Sequence, residues 1–132
     1  MDILSEESKC SHERQDVILE KMKLASKVKF TDKGIHKAFE ELRNGNVDER
    51  KMHDWLVRAF KDIETNAFCG IQIPTRLIPK VYLKKYTIKN LWKYNLPNAW
   101  RLLYSIENNR ILVVSIILEW MNHKNYERQF NY

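Results

Sequence analysis

Residues 91–126 constrain the fold more tightly than any other stretch of this chain. From Leu91 to Tyr104 apolar and polar side chains alternate on either side of Pro97-Asn98-Ala99. A period of two belongs to strands, and Asn98 is a residue type that accepts positive φ in a short turn. The stretch therefore reads as a hairpin. In that register Trp92, Tyr94, Leu96, Trp100, Leu102 and Tyr104 share one face, the expected core, while Lys93, Asn95 and Arg101 share the other, the expected charged face. After Glu107-Asn-Asn-Arg110 the run Ile111–Leu118 is almost wholly apolar and rich in β-branched residues. That composition predicts a buried central strand. His123, Lys124 and Tyr126 follow it.

Arg101 begins inside a strand of apolar neighbours. Two readings stand side by side. The side chain snorkels over a solvated sheet face, or it is paired or turned into a cleft, because burial of an unpaired guanidinium is costly. An arginine, an imidazole and a phenol around one cleft suit chemistry on a phosphodiester. The guanidinium would stabilise charge on phosphorus-bound oxygens and the imidazole would move a proton.

Upstream, Lys27–Phe30 is short and alternating, a first strand. Thr31 or Asp32 offers an N-cap to a helix with Ile35, Ala38, Phe39 and Leu42 as its stripe, stopping at Asn44-Gly45. Asp48 is the expected cap of the next helix, where Met52, Trp55, Leu56, Ala59, Phe60 and Ile63 recur at spacings of three and four. His36 and His53 ride on these helices as surface or boundary residues. Residues 65–79 read as irregular, and Lys80–Tyr86 as a short helical turn or an extended arm. Residues 11–26 carry a loose apolar stripe and form an expected N-terminal helix, within an arm (1–26) set apart from a domain over 27–132. After Tyr126 a short helix anchored by Phe130 is expected.

Charge is unevenly placed. Residues 1–25 hold four Lys/Arg against six Asp/Glu and residues 26–70 nine against eight, but residues 71–132 hold ten against three. All six tyrosines and three of the four tryptophans also lie in that last segment. Basic residues interleaved with rings suit RNA, whose phosphates meet Lys/Arg and whose unstacked bases meet aromatics; an acidic protein segment is the other partner class. Lys84, Lys85, Lys89, Lys93 and Lys124 are the candidate substrate-binding lysines. Cys10 and Cys69 have no paired spacing, which argues against a disulfide framework and for a reducing, cytoplasmic setting. Cys10-x-His12 lacks a second half, so no metal and no cofactor are expected. No window approaches the ~20 apolar residues of a membrane span, and Ser105 and Ser115 have no convincing base beside them.

Trp100-Arg-Leu-Leu-Tyr104, the short turn, the apolar strand and His123-Lys-Asn-Tyr126 together resemble the C-terminal half of the RelE/ParE toxin superfamily. The resemblance extends over roughly residues 27–130 and is tightest at 91–126. It implies an α+β fold in which an antiparallel-rich sheet of about four strands packs on a pair of N-terminal helices; the arm here would be an additional helix. Many members of that family cut mRNA on the ribosome without metal. The 2′-hydroxyl attacks the adjacent phosphate, leaving a 2′,3′-cyclic phosphate and a 5′-hydroxyl.

Carried onto this sequence, the resemblance implies that Arg101 binds the scissile phosphate and His123 acts as general acid or base. Tyr126 would stack on a base or orient the phosphate, with Lys93 and Lys124 as electrostatic helpers. A cognate antitoxin with an acidic segment is the implied protein partner. The ParE branch shares the fold and inhibits gyrase instead, and a catalytically silent RNA- or protein-binding module is the third possibility. The arm and the Lys80–Lys89 segment depart from the compact family pattern.

Overall fold

The computed structural model describes residues 24–108 and 113–130. The expected helix over 11–26 lies outside the described residues except for its last three, which are irregular. In chain order the elements are β1 (Lys27–Phe30), α1 (Lys33–Leu42), α2 (Val47–Thr65), β2 (Ile71–Ile73), α3 (Lys80–Tyr86), β3 (Leu91–Asn95), β4 (Arg101–Asn108), β5 (Val113–Met121) and α4 (His123–Phe130). One five-stranded sheet runs β1-β5-β4-β3-β2. All its pairings are antiparallel except β1 with β5. The fold is thus α+β, with five strands among the described residues rather than about four. The additional one, β2, lies in the stretch expected to be irregular.

The hairpin forms as its residues dictate. Asn98 (φ 58°) and Ala99 (φ 64°) take left-handed backbone, and Leu96 N–H donates to Trp100 O at 2.9 Å across the turn. Asp32 caps α1 by accepting from Ile35 N–H. The cap of α2 is Asn46 rather than Asp48. Its side chain accepts from Glu49 N–H while Glu49 accepts from Asn46 N–H, a reciprocal capping box. Asp48 instead adds an acidic group to the first turn of α2, where the helix dipole favours it.

α2 lays Met52, Leu56, Ala59 and Ile63 on one face of the sheet, against Leu102, Tyr104 and Ile117, with Trp92, Tyr94, Trp100 and Trp120 around them. The opposite face was expected to be solvated and charged. It is instead a second core, where α3 and α4 bury Tyr82 and Tyr126 against Leu91, Leu103 and Leu118. Leu102 and Leu103 are consecutive, point to opposite faces, and are both fully buried, so β4 is sandwiched. Tyr104 ties the α2–β2 connection to β4, donating to Ala67 O at 2.7 Å and accepting from Gly70 N–H at 3.1 Å. A Cβ on Gly70 would come within 2.5 Å of Lys93 O and 2.7 Å of the Tyr104 hydroxyl, so no larger residue fits there.

The ladder between β4 and β5 contains one irregularity, and it sets the side of the sheet on which β5 ends. β4 pairs Leu103 with Glu119 but Tyr104 with Ile117, so Leu118 is an extra residue on β5. A bulge of this kind breaks the alternation of faces. Ile117 lies in the α2-side cluster while Leu118 and Met121 lie in the other. Met121 therefore stands opposite Arg101 and on the same face.

Candidate active site

Arg101 is the first residue of β4, paired with Asn95 on one side and Met121 on the other. β5 ends at Met121. Asn122 then caps α4, its side chain accepting from Asn125 N–H at 2.9 Å and its carbonyl from Tyr126 N–H at 3.0 Å. His123 is thereby the first helical residue, set directly beside the start of β4. Arg101 Nη2 lies 3.4 Å from His123 Nδ1. The two residues that the sequence nominated for one cleft, 22 positions apart, are in contact.

The same helix carries Tyr126 and Phe130 inward, their rings stacked at 4.4 Å. Tyr126 is 1 % exposed. The Lys93 ammonium sits 5.0 Å and the Arg101 guanidinium 5.6 Å from the centre of its ring, within cation–π range. Tyr126 is therefore too buried to stack on a nucleic-acid base, one of the two roles expected of it; its ring is the aromatic floor on which two cations rest. Among the described residues neither Lys93 nor Arg101 forms an ion pair. Arg101 Nη1 reaches only Trp100 O, at 3.3 Å, and its buried Nε makes no hydrogen bond. Two neighbouring cations without a carboxylate form an anion-attracting patch. They sit at the margin of a low-dielectric core, where charge–charge forces exceed those in water.

Beside the patch a cleft of about 130 Å³ is lined by Ile71, Ile73, Leu77, Lys93, Tyr126 and Phe130. It is mostly apolar. Glu127, one turn along α4, meets the other ring nitrogen of His123, with Oε2 3.2 Å from Nε2. Both side chains are about half exposed, 48 % for His123 and 46 % for Glu127.

The remaining candidate lysines are scattered. Lys124 is exposed on α4 next to His123, and Lys84 is exposed on α3. Lys85 rests its ammonium 5.2 Å from the centre of the Tyr86 ring, and hydrogen bonding to the Tyr86 phenol raises its pKa above the ordinary value. Lys89 lines a separate polar cavity with Asn90, Ser105 and Asn108. That cavity is at the far end of β4 from Arg101, roughly 15–20 Å away at the rise of a strand. Lys93 alone among them shares the patch with Arg101.

Sequence reasoning missed Asn122 and Glu127. Both had a signal: an asparagine directly after an apolar strand is a favoured cap, and a glutamate four residues beyond a histidine falls on the same helix face. Ser115 has a packing role, its hydroxyl 2.9 Å from that of Ser26. No cluster of three or more His, Cys, Asp or Glu side chains that could hold a metal occurs among the described residues. No described helix is long and apolar enough to cross a membrane.

No family model, no curated protein and no solved structure matches this chain.

Proposed function

We propose that this protein is a metal-independent endoribonuclease, acting on mRNA at the ribosome in the manner of the RelE-like toxins its C-terminal half resembles. A partner with an acidic segment would hold it in check. The observation that carries the reading is the 3.4 Å contact between Arg101 and His123 on a patch whose cations lack carboxylate partners. A phosphate seated there would accept from the guanidinium and neutralise Lys93. Cleavage needs a 2′-hydroxyl aligned with the phosphorus–5′-oxygen bond, stabilisation of the pentacoordinate transition state and a proton acceptor. Arg101 supplies the second of these and His123 the third.

The test is expression and in vitro cleavage. Expression should arrest growth with fragmentation of mRNA. The fragments should end in 2′,3′-cyclic phosphate, and Arg101→Ala should abolish both effects while the domain stays folded. Arrest with DNA damage and intact mRNA would instead indicate a gyrase-directed action.

A second reading, a catalytically silent binding module of the same architecture, is favoured by one observation. The Tyr126 ring already engages Lys93 and Arg101, which a purely structural role would also explain. No arrest on expression, with Arg101→Ala indistinguishable from wild type, would select it.

A further inference from the structure

The surroundings of His123 fix which of its nitrogens carries the proton. A guanidinium only donates hydrogen bonds and a carboxylate only accepts them. Arg101 Nη2 faces Nδ1 at 3.4 Å, so Nδ1 presents its lone pair. Glu127 Oε2 faces Nε2 at 3.2 Å, so Nε2 presents its hydrogen. The two neighbours sit on different elements, β4 and α4, yet they require the same neutral tautomer. A second histidine–glutamate pair shows that such agreement is not general. His36 and Glu40 on α1 have the same spacing and the same 3.2 Å contact through Nε2, but the imidazole there stacks on Phe30. Among the described residues no guanidinium meets its other nitrogen.

We propose that Glu127 is the positioning residue of the site. It holds His123 as the Nε2–H tautomer, so that Nδ1 is the proton-accepting atom and stands where the arginine-bound phosphate would lie. The proposal rests on the nuclease reading and names the atom through which that chemistry works. When RNA binds, the guanidinium turns from Nδ1 to the phosphate and releases the lone pair. Nδ1 then takes the proton of the 2′-hydroxyl as the 2′-oxygen bonds to phosphorus. The phosphorus–5′-oxygen bond breaks, and the departing 5′-oxygen collects a proton from water at the exposed side of the site. The imidazolium, now bearing hydrogen on both nitrogens, is stabilised by the Glu127 carboxylate until Nδ1 returns its proton to solvent. Without that carboxylate the ring is free to flip or change tautomer, and it offers a hydrogen where a lone pair is needed.

The experiment has two arms on the full chain. In the first, ¹⁵N-edited long-range NMR of the free protein at pH 8 reads the tautomer of His123. The expected pattern is protonated Nε2 and bare Nδ1 in wild type and Glu127→Gln, whose amide oxygen still accepts, and a mixed pattern when Glu127→Ala is combined with Arg101→Ala, which removes both neighbours that select the tautomer. In the second, cleavage of an mRNA bound to programmed ribosomes is followed kinetically. Glu127→Ala should lower kcat about 10- to 100-fold with KM within twofold of wild type, Glu127→Gln should recover most of that loss, and Glu40→Ala should match wild type. Wild-type His123 protonated on Nδ1, or Glu127→Ala retaining the wild-type kcat, overturns the proposal. A wild type that shows the expected tautomer but leaves RNA intact supports the geometric assignment and overturns the nuclease reading instead.

Discussion

The two faces of the sheet are built from the same strands and do different work. On the α2 side, Leu56, Ala59 and Ile63 are fully buried against Leu102 and Tyr104, ringed by tryptophans and by Tyr94. On the other side Leu91, Leu103 and Leu118 form an equally buried centre, but at its edge Lys93 and Arg101 lie over Tyr126. The contrast begins within three consecutive residues of β4, Arg101-Leu102-Leu103. It teaches that a charged position in a strand does not mark a solvated face. A cation is tolerated beside a core when an aromatic ring supplies electron density beneath it and one edge remains open to anions.

The hardest test of this division pairs one substitution from each side. Leu56→Ala should cost about 2–5 kcal/mol of stability, seen as a large fall in the urea midpoint, with cleavage per folded molecule unchanged. Arg101→Ala should cost under about 1 kcal/mol, since no ion pair is lost, while removing ~3–4 kcal/mol of transition-state stabilisation. If Arg101→Ala unfolds the domain as readily as Leu56→Ala, the cationic margin is structural and the division fails.

Tyr104→Phe is a smaller perturbation of the α2 side. It deprives Ala67 O of its donor and Gly70 N–H of its acceptor, for an expected loss of about 1–3 kcal/mol by denaturant titration. A loss below ~0.5 kcal/mol would mean that water replaces both bonds.

Alkaline titration then asks whether the two faces open together. Burial raises the pKa of Tyr104 on one side and of Tyr82 on the other, with Glu119 adding to the effect on Tyr82. Tyr94 is raised by burial and by Asp62, to which it donates. A phenol whose folded pKa lies above its unfolded value near 10 contributes stability that is complete below pH 10 and is lost as pH rises beyond it. Stability should therefore stay level up to about pH 9 and fall above about pH 10. Ultraviolet absorbance of the phenolate should register a cooperative release of tyrosine protons, and two separate steps would show that the faces open independently.

Smallest of all, Lys89→Ala should leave cleavage within about twofold of wild type, whereas Lys93→Ala should weaken RNA binding measurably at low salt. Equal effects would show that charge acts over the whole surface and not at the patch.

Much of this architecture was legible in the residues. The turn at Pro97-Asn98-Ala99, the shared face of Trp92 through Tyr104 and the stripe of α2 follow from period and turn chemistry, and all three are present. β2 was not legible because Ile71-Gln72-Ile73 is too short to display a period. The second core escaped because Lys93, Asn95 and Arg101 dominate the reading of their face. Of the leucines that bury it, Leu91 opens β3 and Leu103 sits between Leu102 and Tyr104, whose face the alternation had already assigned to the core. Contact between Arg101 and His123 was an expectation that periodicity alone cannot test, since it depends on where α4 leaves β5. The bulge at Leu118 gave no signal whatever, being one more aliphatic residue in an aliphatic run.

That silent residue decides the side on which everything after it emerges. In a chain whose side chains alternate up and down, a single added link exchanges odd for even. Were β5 to run through Leu118 without the bulge, the upstream pairs would stay in place but Met121 would turn to the tryptophan side of the sheet, leaving the guanidinium behind on the other. Deleting Leu118 would instead restore a regular ladder with Met121 still opposite Arg101. The placement of Arg101 and His123 on one side is thus a matter of parity, kept by the bulge that takes the extra residue of β5 out of the alternation.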